Sequence, residues 1–442
     1  MSDIVERAID RPGERVTIRQ VTLTISQAAL LAALFFSPWV LEWAVSLPGL
    51  HTASALAANA PKLRLSDVAA AISIGTWLLA GAPRARDLFS PRRRVWSLSL
   101  IGLMAWAAAS TLWANEPSTA IALTLRLILW MCVAWRMACD PLPPAGMARV
   151  LLIGLGVQSV VGVWQFAIQH YVGLTDLGEL PVTLNYPNVS VIVVGAQPII
   201  RAYGLSGHPN VLGGFAVVAL TIGTGWLWQA AGRGRQLGVS VWLLGLLVLS
   251  LTFSRSAWLG GLIGFGAWAR SRPPLMHKPI GRGLIIGVSM AVAWLMVFGP
   301  LLLQRLDVID HPTERVSIDE RLRQVTQALT QIRTRPLIGA GEGNFNVIGV
   351  DGQPARVHNV PLLIAADLGL PGLGFWLIGV GGVFAAWLDR LRRSPHSIWA
   401  AVFGVALSAM LVIAQFDYYW WTSSQGVYVW AVVTGWLMSD AV

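Results

Sequence analysis

The sequence predicts an all-α polytopic membrane protein of about 12 transmembrane helices, with both termini cytoplasmic and a helical extracytoplasmic loop region before the tenth span. Three observations carry this expectation. Of 442 residues, 55% are hydrophobic and only 12% charged, with mean hydropathy +0.61, where soluble domains carry about a quarter charged residues. Apolar runs of roughly 20 residues recur along the chain, each long enough to cross a ~30 Å hydrocarbon core. Arginines and lysines fall in alternate connections, which marks those connections as cytoplasmic.

Residues 1–20 are expected to form a mixed-charge cytoplasmic tail with Arg7, Arg11, Arg15 and Arg19. The first span, 21–47, lacks a small-residue cleavage site and is expected to be retained. Spans at 65–82, 95–113, 119–138 and 148–168 follow, with Arg84, Arg86, Arg92, Arg93 and Arg94 in the second connection. An external loop covers 169–208. Spans at 209–230, 237–254, 256–270 and 283–304 then complete transmembrane helices 1–9, within residues 21–304. Residues 305–358 are expected as an external loop domain, and 359–442 as transmembrane helices 10–12, at 368–388, 396–415 and 425–439.

Within the loop domain, Ser317-Ile318-Asp319-Glu320 is a capping-box pattern, followed by Leu322, Val325, Leu329 and Ile332 at helical spacing. It predicts an amphipathic surface helix over 318–334, stopped before Pro336. Gly339-Ala340-Gly341-Glu342-Gly343 has the glycines of a phosphate loop without a preceding strand, so it reads as a flexible turn.

The net charge of +10 is explained by this alternation, so it is a topology signal and no nucleic-acid partner is implied. Several of the 22 tryptophans lie near span ends, as interfacial anchors do. Cys132 and Cys139 stand about two turns apart on one helix, too far for a disulfide.

Few polar groups are placed for chemistry. Ser254-Arg255-Ser256 interrupts an apolar stretch whose two flanks are both basic, so the stretch must be a hairpin with Arg255 at its tip. A desolvated arginine there needs an anionic partner. A guanidinium that snorkels to lipid phosphate is the plainer alternative. Arg201 is the only basic residue of the loop 169–208, just before His208-Pro209-Asn210 opens the sixth span. His358-Asn359 marks re-entry to the bilayer, where a neutral imidazole can accept a proton from a hydroxyl, or merely serve at the interface. Arg126, inside the fourth span, suits a phosphate or a buried carboxylate such as Asp67. Asp417, ringed by aromatics in "QFDYYWWTSSQG", suits sugar contact, orientation of an arginine, or a belt position. Asp367 follows His358 by nine residues; one helix would turn the two to opposite faces about 13 Å apart, so they do not form a dyad. Asp367 is instead expected to anchor a break before Gly369 and Pro371. No spacing of His, Cys or carboxylates suggests a metal site, and no cofactor is expected.

Three pieces occur in order: Arg201-x-x-Gly204-x-x-x-His208-Pro209-Asn210, the Ser254-Arg255-Ser256-Ala257 tip, and Pro336-Leu-Ile-Gly-Ala-Gly-x-Gly-Asn-Phe345 followed by His358-Asn359 and Gly369-Leu-x-Gly372. With these the chain resembles the O-antigen ligase and O-antigen polymerase superfamily, most strongly over 200–375. The resemblance implies a membrane glycosyltransferase that moves an undecaprenyl-diphosphate-linked glycan to a sugar hydroxyl of a glycan or glycolipid acceptor. It assigns Arg201 and Arg255 to the donor diphosphate and His358 to the acceptor hydroxyl as base, with inversion at the anomeric carbon. The acidic residue after His-Asn is commonly glutamate in that family, and here it is Asp367.

The site is then expected on the extracytoplasmic, periplasmic side of a bacterial cytoplasmic (inner) membrane, among membrane lipids. Ligation stands slightly ahead of polymerisation on lipid-linked repeat units, which shares the same donor chemistry. A lipid-linked glycan transporter or flippase is the alternative from another class. Transporters often carry two related halves, and no such repeat is visible here.

Overall fold

A computed structural model of the chain describes residues 17–44, 62–81, 83, 85–187, 189–194, 197–270, 312–349 and 354–440. Helices dominate: α1 Ile18–Phe36, α2 Leu65–Leu79, α3 Arg94–Ser110, α4 Pro117–Cys139, α5 Pro144–Ile168, α6 Pro209–Gln229, α7 Gly232–Leu251, α8 Arg255–Arg270, α9 Pro312–Thr334, α10 Val360–Arg393, α11 Ile398–Ile413 and α12 Ser424–Met438. Among the described residues α1, α4, α5, α6, α7 and α10 are long and apolar enough to cross a membrane, and α2 and α11 are shorter apolar helices. The expected ninth span, 283–304, lies outside the described residues.

The expected first span is too long. Its helix ends at Phe36, where Pro38 follows and the backbone turns back through Trp39 N–H to the Phe36 carbonyl. The chain then pairs β1 (Glu42–Ala44) antiparallel with β2 (Lys62–Arg64), which Glu42 reinforces by ion pairs to Arg64 at 3.0 Å and Lys62 at 2.5 Å. Two more short antiparallel pairs, β3 (Val191–Val194) with β4 (Gln197–Ile200) and β5 (Val347–Ile348) with β6 (Pro354–Ala355), were not expected of an all-α chain. Neither belongs to a closed sheet.

The packing has a centre and a rim. α6 is mostly buried inside the bundle whereas α1 and α7 are mostly exposed, so α6 is central while α1 and α7 are peripheral. α6 packs on α5, α7, α8 and α11, and α12 packs on α4 and α11. Small residues permit this closeness. Gly213 of α6 lies against the side chains of Thr252, Ser254 and Ala257, and a Cβ on Gly214 would meet the Tyr419 hydroxyl.

The two ends of the bundle differ. At one end Arg93 pairs with Asp440 and Arg136 with Asp140, while Arg390 hydrogen-bonds Ser439 and stacks 4.4 Å over the Trp436 ring. The opposite end holds Arg201, the Arg255 turn, His358 and Asp417 (linked through the contacts below).

The break in α10 forms as expected, and its neighbour is no loose turn. Gly369 adopts φ 69°, ψ −177°, a left-handed conformation that suits glycine. Pro371 has no N–H for the Asp367 carbonyl, and the kink frees the Ala366 carbonyl and the Leu370 N–H. The 336–341 segment takes up all three. Ala340 N–H donates to Ala366 at 2.9 Å, Gly341 N–H to the Asp367 carbonyl at 2.8 Å, and Leu370 N–H to Pro336 at 2.7 Å. The glycines of 339–343 therefore serve close backbone docking. The Asp367 side chain completes the joint, accepting from Phe345 N–H at 2.7 Å and pairing with Arg356 at 3.3 Å.

Candidate functional site

A cavity of about 420 Å³ opens between the start of α8, the middle of α9 and the start of α10. Arg255, Ser256, Arg321, His358, Asn359 and Gln415 supply its polar wall. Leu259, Ile318, Leu322, Val325 and Phe416 supply the apolar part. Among the described lining residues two are arginines and none is a carboxylate, so the wall favours an anion.

Arg255 is presented by a sharp reversal. After α7, Phe253 takes φ 47°, a left-handed conformation that costs a residue with a Cβ of order 1–3 kcal/mol. Phe253 is buried and stacked against Phe166 at 6.2 Å, which holds the conformation in place. Arg255 then begins α8, with its side chain beside the positive end of that helix.

Arg201 stands behind this turn and is not among the cavity-lining residues. Its guanidinium is buried and donates to the Thr252 carbonyl at 2.6 Å, Ser190 Oγ at 2.6 Å and Asn210 Oδ1 at 2.7 Å. Asn210 passes the connection on, donating from Nδ2 to Asp417 Oδ2 at 2.8 Å. The expected pair of arginines is thus split: Arg255 lines the cavity, and Arg201 grips the turn that carries it.

His358 lies on the cavity wall. Its Nδ1 is 2.8 Å from Gln324 Oε1, and its ring meets Tyr418 edge-on at 5.0 Å. Burial pushes its pKa below the usual value; Asp417 opposes this, Arg321 adds to it and Glu320 opposes it more weakly. Asn359 caps α10, its Oδ1 accepting from Leu362 N–H at 2.9 Å while Nδ2 donates to the Gln415 carbonyl at 3.1 Å.

His208 caps α6, with Nδ1 accepting the Asn210 N–H at 3.1 Å. Burial, then Arg201, pushes its pKa down to about 3, so it stays neutral. Arg126 pairs with Asp67 at 3.3 Å and bonds the Lys62 carbonyl, in a separate network completed by Ser424 and Tyr428 on Asp67 Oδ1. Asp367 is tied to Arg356 and shares no contact with His358, as its position nine residues on implies.

Arg321, Gln324 and Arg356 did not stand out in the sequence. Arg321 and Gln324 share a face of α9 with the core-facing Ala328, a periodicity that is visible, but which wall they would meet is not.

Fold and site together define a multi-pass membrane protein with a basic cavity, lined by His358, at one end of its bundle. Residues 239–377 match the family model described as O-antigen ligase, which supports the O-antigen ligase superfamily for this segment. The matched segment contains Arg255, Arg321 and His358, while Arg201 precedes it. No curated protein matches the chain.

Proposed function

We propose that this chain transfers an undecaprenyl-diphosphate-linked oligo- or polysaccharide to a sugar hydroxyl of a glycan or glycolipid acceptor, as an O-antigen ligase does. The observation that carries the reading is that Arg255 and His358, both in the matched segment and more than a hundred residues apart, line one cavity. About 420 Å³ is within the common range of small-ligand sites, roughly 300–1,000 Å³, and accommodates the reacting groups rather than a whole glycan.

In the proposed step the acceptor oxygen forms a bond to the anomeric carbon as the bond from that carbon to the diphosphate oxygen breaks. The bonding pair leaves with the diphosphate, and His358 takes the hydroxyl proton. Arg255 and Arg321 balance the developing charge, for which the planar guanidinium fork suits phosphate oxygens. Arg201, through Thr252 and Asn210, positions the turn rather than meeting the diphosphate. Direct displacement inverts the anomeric configuration, and no step calls for a metal.

The arginine-rich end with Arg93, Arg136 and Arg390 is opposite the cavity. This supports both termini being cytoplasmic and the site facing the periplasm of a bacterial inner membrane.

The test is transfer by the purified chain in lipid, with lipid-linked glycan and acceptor, scored by mass. Coupled product from wild type and its loss in His358→Ala is the expected result. A His358→Ala chain at the wild-type rate removes the base, and donor translocation without product by wild type favours a transporter.

A further inference from the structure

A neutral imidazole carries one N–H, and the nitrogen that holds it decides which lone pair is free. In this chain the choice is made by α9. Gln324 is 2% exposed, and its Oε1 lies 2.8 Å from His358 Nδ1. The His358 backbone N–H donates to the same oxygen at 3.3 Å, and a backbone amide can only donate. On the other side of the side chain, Gln324 Nε2 donates to Glu320 Oε1 at 3.2 Å, one helical turn earlier. A carboxylate accepts, so it selects the NH₂ group. Two independent partners thus fix the amide the same way round. A reversed amide would set its NH₂ against the His358 N–H and its oxygen against the Glu320 carboxylate.

With an acceptor held at Nδ1, that nitrogen must carry the proton. We infer that Gln324, oriented by Glu320, is a positioning residue that locks His358 as the Nδ1–H tautomer and leaves the Nε2 lone pair for the acceptor hydroxyl. Only the final clause rests on the proposed transfer reaction. The tautomer itself follows from the contacts. The same bond also fixes the ring plane across the gap between the loop domain and α10.

Several charged and titratable groups face this histidine. Glu320 and Arg321 come from α9, Asp417 and Tyr418 from the segment after α11, Arg255 from α8 across the cavity, and His208 from the start of α6. A carboxylate in place of the Gln324 amide would add a negative charge in direct contact, favouring imidazolium and raising the His358 pKa.

The experiment is ring-¹⁵N histidine NMR of the full chain in lipid, with the His358 signals assigned by their loss in His358→Ala. Wild type is expected to show a protonated Nδ1 and an unprotonated Nε2. Gln324→Leu is expected to shift the ring toward Nε2–H, and Gln324→Glu to keep Nδ1–H while moving the titration to higher pH. In transfer assays Gln324→Leu is expected to lose roughly 10²-fold in rate at unchanged donor KM, and Gln324→Glu to move the acid limb of the pH–rate profile upward. A wild-type ring protonated at Nε2, or a ring indifferent to Gln324→Leu, overturns the inference whatever the activity. A His358→Ala chain that still transfers, beside an Nδ1–H ring in wild type, overturns only the base assignment and the final clause.

Discussion

Two helices of this protein open with a histidine and an asparagine close together, and they use the pair in opposite ways. At α6, His208 is the cap and Asn210 runs a buried relay from Arg201 to Asp417. At α10, Asn359 is the cap and His358, one residue earlier, is released to the cavity wall. A cap consumes the lone pair that a general base needs: His208 Nδ1 is bound to a backbone N–H, whereas His358 Nδ1 faces an acceptor. A shift of one residue in capping register thus separates a histidine engaged as a cap from one whose ring reaches the cavity wall.

Breaking the two histidines should give effects of different size and kind. His358→Ala is expected to reduce transfer by roughly 10²–10⁴-fold while the chain still folds, read by turnover and thermal melting. His208→Ala is expected to cost about 1 kcal/mol of stability through the lost cap and to leave most of the turnover. Equal loss of turnover in both variants would erase the distinction.

Asp367 extends the contrast, since it lies in the helix that follows the released histidine but is fully engaged. Asp367→Ala leaves buried Arg356 without its carboxylate and should destabilise the chain by about 3–5 kcal/mol, seen as a lowered melting temperature. Near-normal stability with lost turnover would make Asp367 a catalytic group instead.

Smaller effects concern pH. The proposed base must be neutral, and the His358 pKa lies below the ordinary ~6.5, so the acid limb of the rate profile is expected below that value. Asp417→Asn removes a charge that raises this pKa and should move the limb further down. His208 acts on stability: its folded pKa of about 3 is below the unfolded ~6.5, so the unfolded chain binds more protons between them. Stability is therefore lost as pH falls through that window, and His208→Asn, which retains a capping side chain, should reduce the loss in melts at pH 7 and pH 5. The smallest expected effect is that of EDTA, which should leave the transfer rate unchanged.

The sequence revealed the helices wherever apolar runs of spanning length met a cap or a basic flank, as in α4, α5 and α6. It misjudged α1 because the residues after Phe36 remain apolar while Pro38 and the β1–β2 pairing end the helix. The hairpin tip at Arg255 and the helix ending at Thr334 were readable from charge and spacing, and Asp67 was one of the partners that suited Arg126. The separation of Arg201 from the cavity was not, because it depends on the Thr252 carbonyl fifty residues away. Nor was the Gln324 contact, since registry between α9 and α10 is set by packing and leaves no local pattern. Nothing in the residues flanking His208 and His358 separates a cap from a released ring without the backbone geometry.

The central claim is that donor chemistry occurs between the Arg255 turn, α9 and His358. The most direct measurement uses an undecaprenyl-diphosphate glycan bearing a photoreactive group beside the diphosphate, with labelled peptides located by mass spectrometry. Labelling confined to residues 254–259, 321–325 and 358–359, and displaced by unmodified donor, is the result the geometry predicts. Competed labelling at the Arg93–Asp440 end, or around Asp67 and Arg126 instead, would contradict it.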